Sequence, residues 1–396
     1  MADPGSRRVF TPGRIGGLEL RNRIVRSGCF EGMCAGGAPS DALLEHHRAV
    51  AAGGAAMTTV SYCAVSQDGR SYGTEMWMRP EIVPALRRLT DAVHAEGAAA
   101  SLQLGHCGYF SDPRAAGGRP IGPSRVFNLF RLTHPRTMTV ADCERVAADF
   151  GRAATMAREA GFDAVEVHAG HGYLISQFLS PYTNRREDGF GGSLANRMRF
   201  PTRVLEWTRQ AVGPDFPVLV KMNLRDGFRG GLEVDEAVEV ARGFEHAGAS
   251  GLIPSCGFTS RTPFYMLRGN VPVREMVRNQ KDLVPRIGLT LFGRLFVRTF
   301  PWAPTFLFED ARRIVEAVNI PVLLVGGVGS LADMDRAMDA GFQFVQLGRA
   351  LIEYPDLPRR MLAGELDAST CDHCNRCVAA MDAGGVRCVT RDERGA

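Results

Sequence analysis

Two histidines and a tyrosine, His168, His171 and Tyr173, fall within six residues near the middle of the chain, in the stretch HAGHGYLISQFLSP. They follow the apolar run 164–167, which is short, rich in valine and flanked by glycine, so the pattern predicts a buried strand that ends at the first histidine. In a turn that leaves a strand, two imidazoles can donate hydrogen bonds to one oxygen while a phenol supplies a proton. Each residue alone would more often be a packed core residue, but the three together favour a catalytic site.

The segment 168–200, HAGHGYLISQFLSPYTNRREDGFGGSLANRMRF, resembles the signature of the Old Yellow Enzyme family of flavin-dependent ene-reductases, whose relatives include dienoyl-CoA reductases and trimethylamine dehydrogenase. The resemblance implies a TIM barrel that carries FMN and takes electrons from NAD(P)H. It also implies that His168 and His171 hold a substrate carbonyl and that Tyr173 delivers a proton. The similarity covers nearly the whole chain apart from an insertion at 257–307.

Length and composition agree with one large barrel. A chain of 396 residues, 45% hydrophobic and 23% charged, can form a single (β/α)8 domain over 1–396. No run of about 18 uncharged apolar residues occurs, and the first residues lack the apolar stretch of a signal peptide, so we expect no membrane span and a cytoplasmic location. A net charge of +4 gives no argument for nucleic acid. The expected partner is a small-molecule substrate, and a homo-oligomer stays open.

Short apolar runs alternate with helix-like segments along the chain, and eight such runs predict a closed α/β barrel. The runs are 24–28, 56–62, 99–104, 163–168, 217–222, 251–254, 321–325 and 344–347. The alternative, a doubly wound open sheet, would place a GxGxxG fingerprint after the first strand, and Gly28 leads instead into CFEGMCAGG. A barrel carries its chemistry on the loops that follow the strands.

The loop after the first strand holds Ser27, Gly28 and Cys29, whose small size lets a backbone approach a flat ring. The resemblance implies that this loop lines the flavin and that Cys29 lies beside the ring, although a buried inert thiol is an alternative. Cys63, after the second strand, corresponds to a small residue that packs on the flavin.

Two polar residues lie near the ends of otherwise apolar runs. Gln103 lies next to the end of the third run, and its amide can both donate and accept, which matches a pyrimidine edge. Lys221 lies near the end of the fifth run, and a cation there requires an anion because burying it unpaired is costly. The resemblance places Gln103 against the flavin and Lys221 near its N1 and O2 atoms, where a cation favours the reduced ring.

Glycine-rich loops follow the seventh and eighth runs, GGVGS at 326–330 and the pair Gly348 and Arg349. TIM barrels commonly bind phosphate with these two loops, through exposed amides and a nearby guanidinium. Gly327, Gly348 and Arg349 resemble the phosphate site for FMN in the family.

The Cys-rich C-terminal tail, 366–396, contains Cys371, Cys374, Cys377 and Cys388. Thiolates with this spacing are typical of an iron–sulfur ligand set, and the tail resembles the [4Fe–4S] loop of trimethylamine dehydrogenase with a shorter final spacing. A structural zinc and plain or redox-active thiols are the alternatives.

The insertion after the sixth strand, 257–307, is far longer than the roughly 2–6 residues usual for such a loop. It carries eight Arg or Lys against two acidic residues and is rich in aromatic residues. We predict a lid whose apolar side covers a bulky substrate and whose basic side, including Arg294 and Arg298, meets an anionic group. A packing element, a dimer contact and an amphipathic segment on an anionic membrane are the alternatives.

The function expected from these observations is NAD(P)H-dependent reduction of the C=C bond of an α,β-unsaturated carbonyl compound by an FMN enzyme. One alternative is an amine or ether dehydrogenase or demethylase that passes electrons to a partner. The other is a non-catalytic flavin-binding barrel, which the intact pattern of His168, His171 and Tyr173 disfavours.

Overall fold

The computed structural model of the chain describes residues 4–280 and 283–395. Eight parallel strands form its centre and neighbour one another in sequence order. They are β1 (Ile24–Arg26), β2 (Met57–Ala64), β3 (Ala99–Gly105), β4 (Ala164–Ala169), β5 (Val218–Asn223), β6 (Gly251–Ser255), β7 (Leu323–Leu324) and β8 (Phe344–Leu347). A parallel bridge between Leu252 and Val322 joins β6 to the residue before β7, and β8 pairs with β1, so the ring closes. The predicted (β/α)8 barrel is confirmed, with strand bounds within three residues of the predicted runs.

Eight helices surround the strands and follow them along the chain. They are α1 (Asp41–Ala52), α2 (Val83–Ala95), α3 (Val140–Glu159), α4 (Leu194–Val212), α5 (Val234–His246), α6 (Phe308–Val315), α7 (Leu331–Asp339) and α8 (Leu357–Leu362). Further short elements are the helices Leu174–Leu179 and Arg349–Glu353 and the strands Met76–Trp77, Ile121–Gly122 and Arg136–Thr137.

Local sequence signals fix where key helices begin. Thr139 caps α3: its hydroxyl accepts from the Asp142 amide at 3.1 Å, and the Asp142 carboxylate accepts from the Thr139 amide at 2.7 Å. Ser330 and Asp333 form the same reciprocal capping box at the start of α7. The second box ends the glycine-rich loop after β7 at a defined residue.

The amino-terminal end of the barrel is closed by a hairpin that the sequence analysis did not predict. Its strands, Gly13–Ile15 and Leu18–Leu20, pair antiparallel. Ile15 and Leu20 are buried with Val25, Met57, Leu219, Ile253, Leu323 and Phe344 in one apolar cluster. Because apolar side chains fill this end, polar chemistry is confined to the opposite end of the strands.

The insertion contains two helices, Val273–Asn279 and Leu283–Phe296. The first packs on the tail: the Asn279 amide donates to the Ala379 carbonyl at 2.7 Å, and Arg376 lies 3.3 Å from Glu275. The ring of Trp302 stacks on His373 with centroids 3.7 Å apart.

These contacts of the insertion with the tail are those expected of a packing element, which was an alternative to the lid. Lys281 and Asp282 and the side chain of Arg294 lie outside the described residues. The lid and its basic face stay a prediction.

The tail ends in two short helices, Arg376–Ala380 and Val389–Glu393. It also contacts the loop after β1, where the Val386 amide donates to the Glu31 carbonyl at 2.8 Å. None of the helices in the described part of the chain combines the length and apolar composition of a membrane span.

Candidate active site

Three rings meet at the carboxyl end of β4. The His168 ring lies 4.9 Å from that of His171, at 83°, and 4.8 Å from that of Tyr173, at 89°. His168 is the fifth residue of β4, and β5 places Lys221 beside it in register. The structure therefore brings together the three residues that the sequence analysis proposed for catalysis.

The turn that follows β4 contains two consecutive residues with positive φ. His171 has a φ of 58° and Gly172 a φ of 74°, both in the left-handed region. The Asn223 side chain accepts a hydrogen bond from the His171 amide at 2.9 Å. At Gly172, an added Cβ would lie 2.5 Å from the ring of Phe258, so only glycine fits there. This turn is what lets His171 and Tyr173 face the same space as His168.

Both imidazoles are neutral near pH 7. Burial lowers the pKa of His168 well below its usual range, with smaller contributions from His171 and Lys221. Burial, followed by the charge of Lys221, lowers the pKa of His171 to about 3. A neutral imidazole carries one N–H, so each ring can donate one hydrogen bond without bringing a charge into the site.

The phenol of Tyr173 stays protonated. Burial raises its pKa well above the usual range, while a hydrogen bond with the Thr259 side chain opposes the shift. The ring packs against Tyr62 at 5.5 Å and Phe110 at 6.1 Å between centroids. Tyr173 is therefore a protonated phenol that packs against aromatic rings.

Two residues with side-chain hydroxyl groups, which the sequence analysis did not predict, hold His171 in place. Ser255, at the end of β6, lies 2.7 Å from His171 Nε2 and fixes the ring. Thr259, four residues later, donates from both its amide, at 2.8 Å, and its hydroxyl, at 2.7 Å, to the His171 carbonyl. A serine and a threonine at the end of the sixth apolar run were the available signal.

A second polar cluster lies across β3, β4 and β5. Lys221 Nζ is 2.9 Å from the carboxylate of Glu166, and Gln103 Nε2 donates to the same oxygen at 2.5 Å. The Ser61 hydroxyl donates to Gln103 Oε1 at 2.8 Å. Gln103 and Glu166 are register partners in β3 and β4, which explains their contact. The predicted anion for Lys221 is supplied, at least in part, by the protein itself.

Comparison with known proteins decides the family. The family model of the NADH:flavin oxidoreductase / NADH oxidase family matches residues 8–250. The chain belongs to this family. It is therefore an FMN-dependent NAD(P)H oxidoreductase with the Old Yellow Enzyme barrel, as the sequence resemblance predicted.

Its relatives differ in what they reduce. The chain is 41% identical over 97% of its length to 4,4'-dithiodibutanoate disulfide reductase from Rhodococcus erythropolis, of which it covers 95%. It is 32% identical over 93% of its length to a metal reductase from Desulforamulus reducens, and it spans about half, 51%, of that relative. Among solved structures, 2-naphthoyl-CoA reductase shares the fold with a TM-score of 0.84 at 24% identity, over 98% of this chain and 57% of that one. The Old Yellow Enzyme homologue from Zymomonas mobilis shares the fold with a TM-score of 0.73 at 22% identity. The match covers 92% of this chain and 94% of that one.

The polar cluster fits the FMN of this family. Lys221 Nζ also donates to the Ser27 hydroxyl at 3.2 Å and to the Gly28 carbonyl at 3.3 Å, so the loop after β1 meets the ammonium. At Gly28, an added Cβ would lie 2.9 Å from Gln103 Nε2, so a side chain here would have to displace the Gln103 amide. An amide, an ammonium and a hydroxyl grouped at one barrel mouth match the carbonyl and imide groups of a flavin edge.

The two cysteines predicted near the flavin differ in their surroundings. Cys63 lies in β2 and is fully buried in the apolar core, and burial raises its pKa well above the usual range, so it is an inert thiol. Cys29 is partly exposed and faces Gly348, where an added Cβ would be 3.4 Å from its sulfur. Cys29 thus lies where the loop after β1 approaches the loop after β8.

The predicted phosphate residues lie on the loops after β7 and β8. Gly327 has a φ of 81°, which favours glycine. Arg349 donates to the Leu267 carbonyl at 2.5 Å, the Arg268 carbonyl at 3.2 Å and the Asn375 side chain at 2.8 Å. These acceptors are neutral, so none of them cancels the positive charge of the guanidinium. The group can therefore still attract the phosphate of FMN.

The four cysteines of the tail line one cavity together with Arg349 and Asn375. Burial raises the pKa of Cys371 to about 11 and that of Cys377 to about 12, so both are neutral thiols near pH 7. Within residues 4–280 and 283–395, no three His, Cys, Asp or Glu side chains are close enough to hold a metal ion. The thiols would have to approach one another and lose protons to become ligands.

We predict that anaerobically purified protein contains iron and acid-labile sulfide bound by Cys371, Cys374, Cys377 and Cys388, because three thiols in CxxCxxC spacing and a fourth share one cavity. Metal and sulfide analysis measures this directly, and Cys374→Ser should lose the metal. Cys143→Ser, which alters a thiol in α3, is the matched control. Neither iron nor zinc above background in the wild type would leave the four as plain thiols.

Proposed function

We propose that the protein reduces the C=C bond of α,β-unsaturated carbonyl compounds. The observation that supports this best is the perpendicular cluster of two neutral imidazoles and one protonated phenol, beside the residues that fit FMN. Bound FMN supplies the hydride, which it takes from NAD(P)H.

In this proposal the substrate carbonyl oxygen accepts hydrogen bonds from His168 and His171. The donors stabilise the negative charge that develops on this oxygen as a hydride adds to the β-carbon. Tyr173 then transfers its proton to the α-carbon, so the substrate gains two hydrogens in total. Because both imidazoles are neutral and buried, they cost little reorganisation as charge develops.

Disulfide reduction is the second candidate, and the 41% identical relative over 97% of the chain favours it. In this reaction a hydride adds to one sulfur and breaks the S–S bond, so that sulfur leaves as a thiol. The other sulfur becomes a thiolate, which takes the proton of Tyr173. The imidazole N–H groups of His168 and His171 would stabilise the developing thiolate. The same three residues thus serve either substrate class.

An anaerobic half-reaction experiment separates the candidates. The enzyme is reduced with NADH or NADPH, and its flavin absorbance is followed after addition of 2-cyclohexenone, 4,4'-dithiodibutanoate or buffer. We expect the enone to restore the absorbance. Reoxidation by the disulfide alone would replace the first candidate with the second. Reduction by an amine rather than by a nicotinamide would favour the dehydrogenase alternative.

A further inference from the structure

An aromatic surface leads away from the catalytic turn. Its partly exposed members are Phe228 and Tyr182, and the fully buried Phe258 connects them to the turn. Phe258 lies against Gly172, between His171 and Tyr173 in the chain. Its ring is 5.4 Å from that of Phe228, at 88°, and the Phe228 ring is 5.1 Å from that of Tyr182, at 82°. The surface offers apolar contact to the part of a substrate that extends beyond the reacting group.

The exposed guanidinium of Arg261 lies at the outer end of this surface. Its Cζ is 4.8 Å from the centroid of the Phe228 ring and 4.5 Å from that of Tyr182. Its Nη1 donates to the Tyr182 hydroxyl at 2.6 Å. Two ring contacts and one hydrogen bond hold the group in place, and a guanidinium has five N–H donors, so most remain available.

The charge of Arg261 has no acidic partner in the described ranges 4–280 and 283–395: no Asp or Glu there forms an ion pair with it. Two other arginines do have such partners. Arg186 pairs with Asp188 at 2.5 Å, and Arg225 pairs with both Glu233 and Asp310, at 2.6 and 2.7 Å. Arg261 is thus an oriented cation with only neutral contacts beside a substrate surface.

The loop that carries Arg261 is tied to the catalytic turn. Thr259, two residues earlier, makes its two hydrogen bonds to the His171 carbonyl. The Ser260 hydroxyl bonds with that of Tyr109. The Arg261 amide donates to the Phe258 carbonyl at 2.9 Å and closes the turn. Because of these anchors, the guanidinium keeps a defined position relative to His168, His171 and Tyr173.

We propose that Arg261 binds a carboxylate at the end of the substrate remote from the reduced bond, with the spacer lying on Phe228. This inference rests on the proposed function and narrows its substrate class to molecules that carry an anionic end. An oriented guanidinium favours a carboxylate because two parallel N–H groups match its two oxygens. The name of the 41% identical relative, a disulfide reductase for a butanoate dimer, describes a substrate of this kind.

The test compares binding of a charged and an uncharged probe to the oxidised, FMN-loaded protein. The probes are 4,4'-dithiodibutanoate and its dimethyl ester, titrated by calorimetry into the wild type and Arg261→Gln. We expect Arg261→Gln to raise the Kd of the dicarboxylate by about 2- to 5-fold and that of the ester by less than about 1.5-fold, the range for an exposed ion contact. Raising the salt should shrink the difference.

Arg242→Gln is the matched control, since it removes the same charge from α5, where Arg242 pairs with Glu239. It should leave both Kd values unchanged. Equal Kd values of the dicarboxylate for wild type and Arg261→Gln would overturn the inference. So would an equal rise for both probes, or wild-type binding no tighter for the dicarboxylate than for the ester. Because binding is measured without turnover, failure of the enone and disulfide to reoxidise the flavin would reject the proposed function separately.

Discussion

Replacing Tyr173 with phenylalanine is expected to slow reoxidation of the reduced enzyme by an enone by about 10²- to 10⁴-fold, the usual contribution of a positioned general acid. Reduction by NAD(P)H needs no proton from this residue and should change by less than about twofold. Phenylalanine keeps the ring that packs on His168 and Tyr62, so the site should retain its shape. Stopped-flow absorbance of the two half-reactions, recorded separately, measures both effects.

Tyr62→Phe is the control for this prediction. It removes a second buried phenol hydroxyl nearby, which bonds with the Cys107 sulfur at 3.2 Å. We expect both half-reactions of this variant to stay near the wild-type rates. If Tyr173→Phe slowed both half-reactions equally, or neither, Tyr173 would not be the acid.

The strands and the catalytic rings could be predicted because their signals are local. Each barrel strand is a short apolar run, and the ends of these runs place His168, Gln103 and Lys221 on one face of the barrel. Chain direction alone then brings the loops to one mouth, since all eight strands are parallel.

Glu166 was missed although its signal was present. It is the one charged residue in the run 164–167 and lies two positions before His168, so the period of a strand puts both on the same face. The lysine was correctly expected to need an anion. The anion is a residue of β4 because of the register between β4 and β5. This register could not be predicted from the sequence.

The contacts of the insertion with the tail could not be predicted because they join segments about 100 residues apart. The Asn375 side chain donates to the carbonyls of Arg268 and Asn270, at 2.9 and 2.8 Å, and accepts from Arg349. Composition shows that the insertion is basic and aromatic, but it does not show which surface covers it. The same composition fits a lid, a packing element and a membrane contact.

Replacing Lys221 with methionine is expected to lower the free energy of unfolding by about 3–5 kcal/mol, because it leaves a buried carboxylate without its cation. The side chains of Lys221 and Glu166 are 2% and 0% exposed, and they lie 2.9 Å apart. Glu166 would keep the amide donors of Gln103, at 2.5 Å, and Gln346, at 3.1 Å. Two neutral donors offset only part of the cost of a buried charge. The shift of the urea unfolding midpoint in FMN-free protein measures the loss.

The double variant Lys221→Met/Glu166→Gln decides whether the pair is the cause. Removing both charges should recover most of the lost stability, since a neutral amide can still bond with Gln103 and Gln346. A measurement of FMN affinity tests the second role of the lysine, which is to hold the flavin. The double variant should fold but bind FMN more weakly than the wild type, because the ammonium near Ser27 and Gly28 is gone. A double variant no more stable than Lys221→Met would show that Glu166 is not the group that the lysine neutralises. If the double variant bound FMN as tightly as the wild type, Lys221 would not contribute to flavin binding.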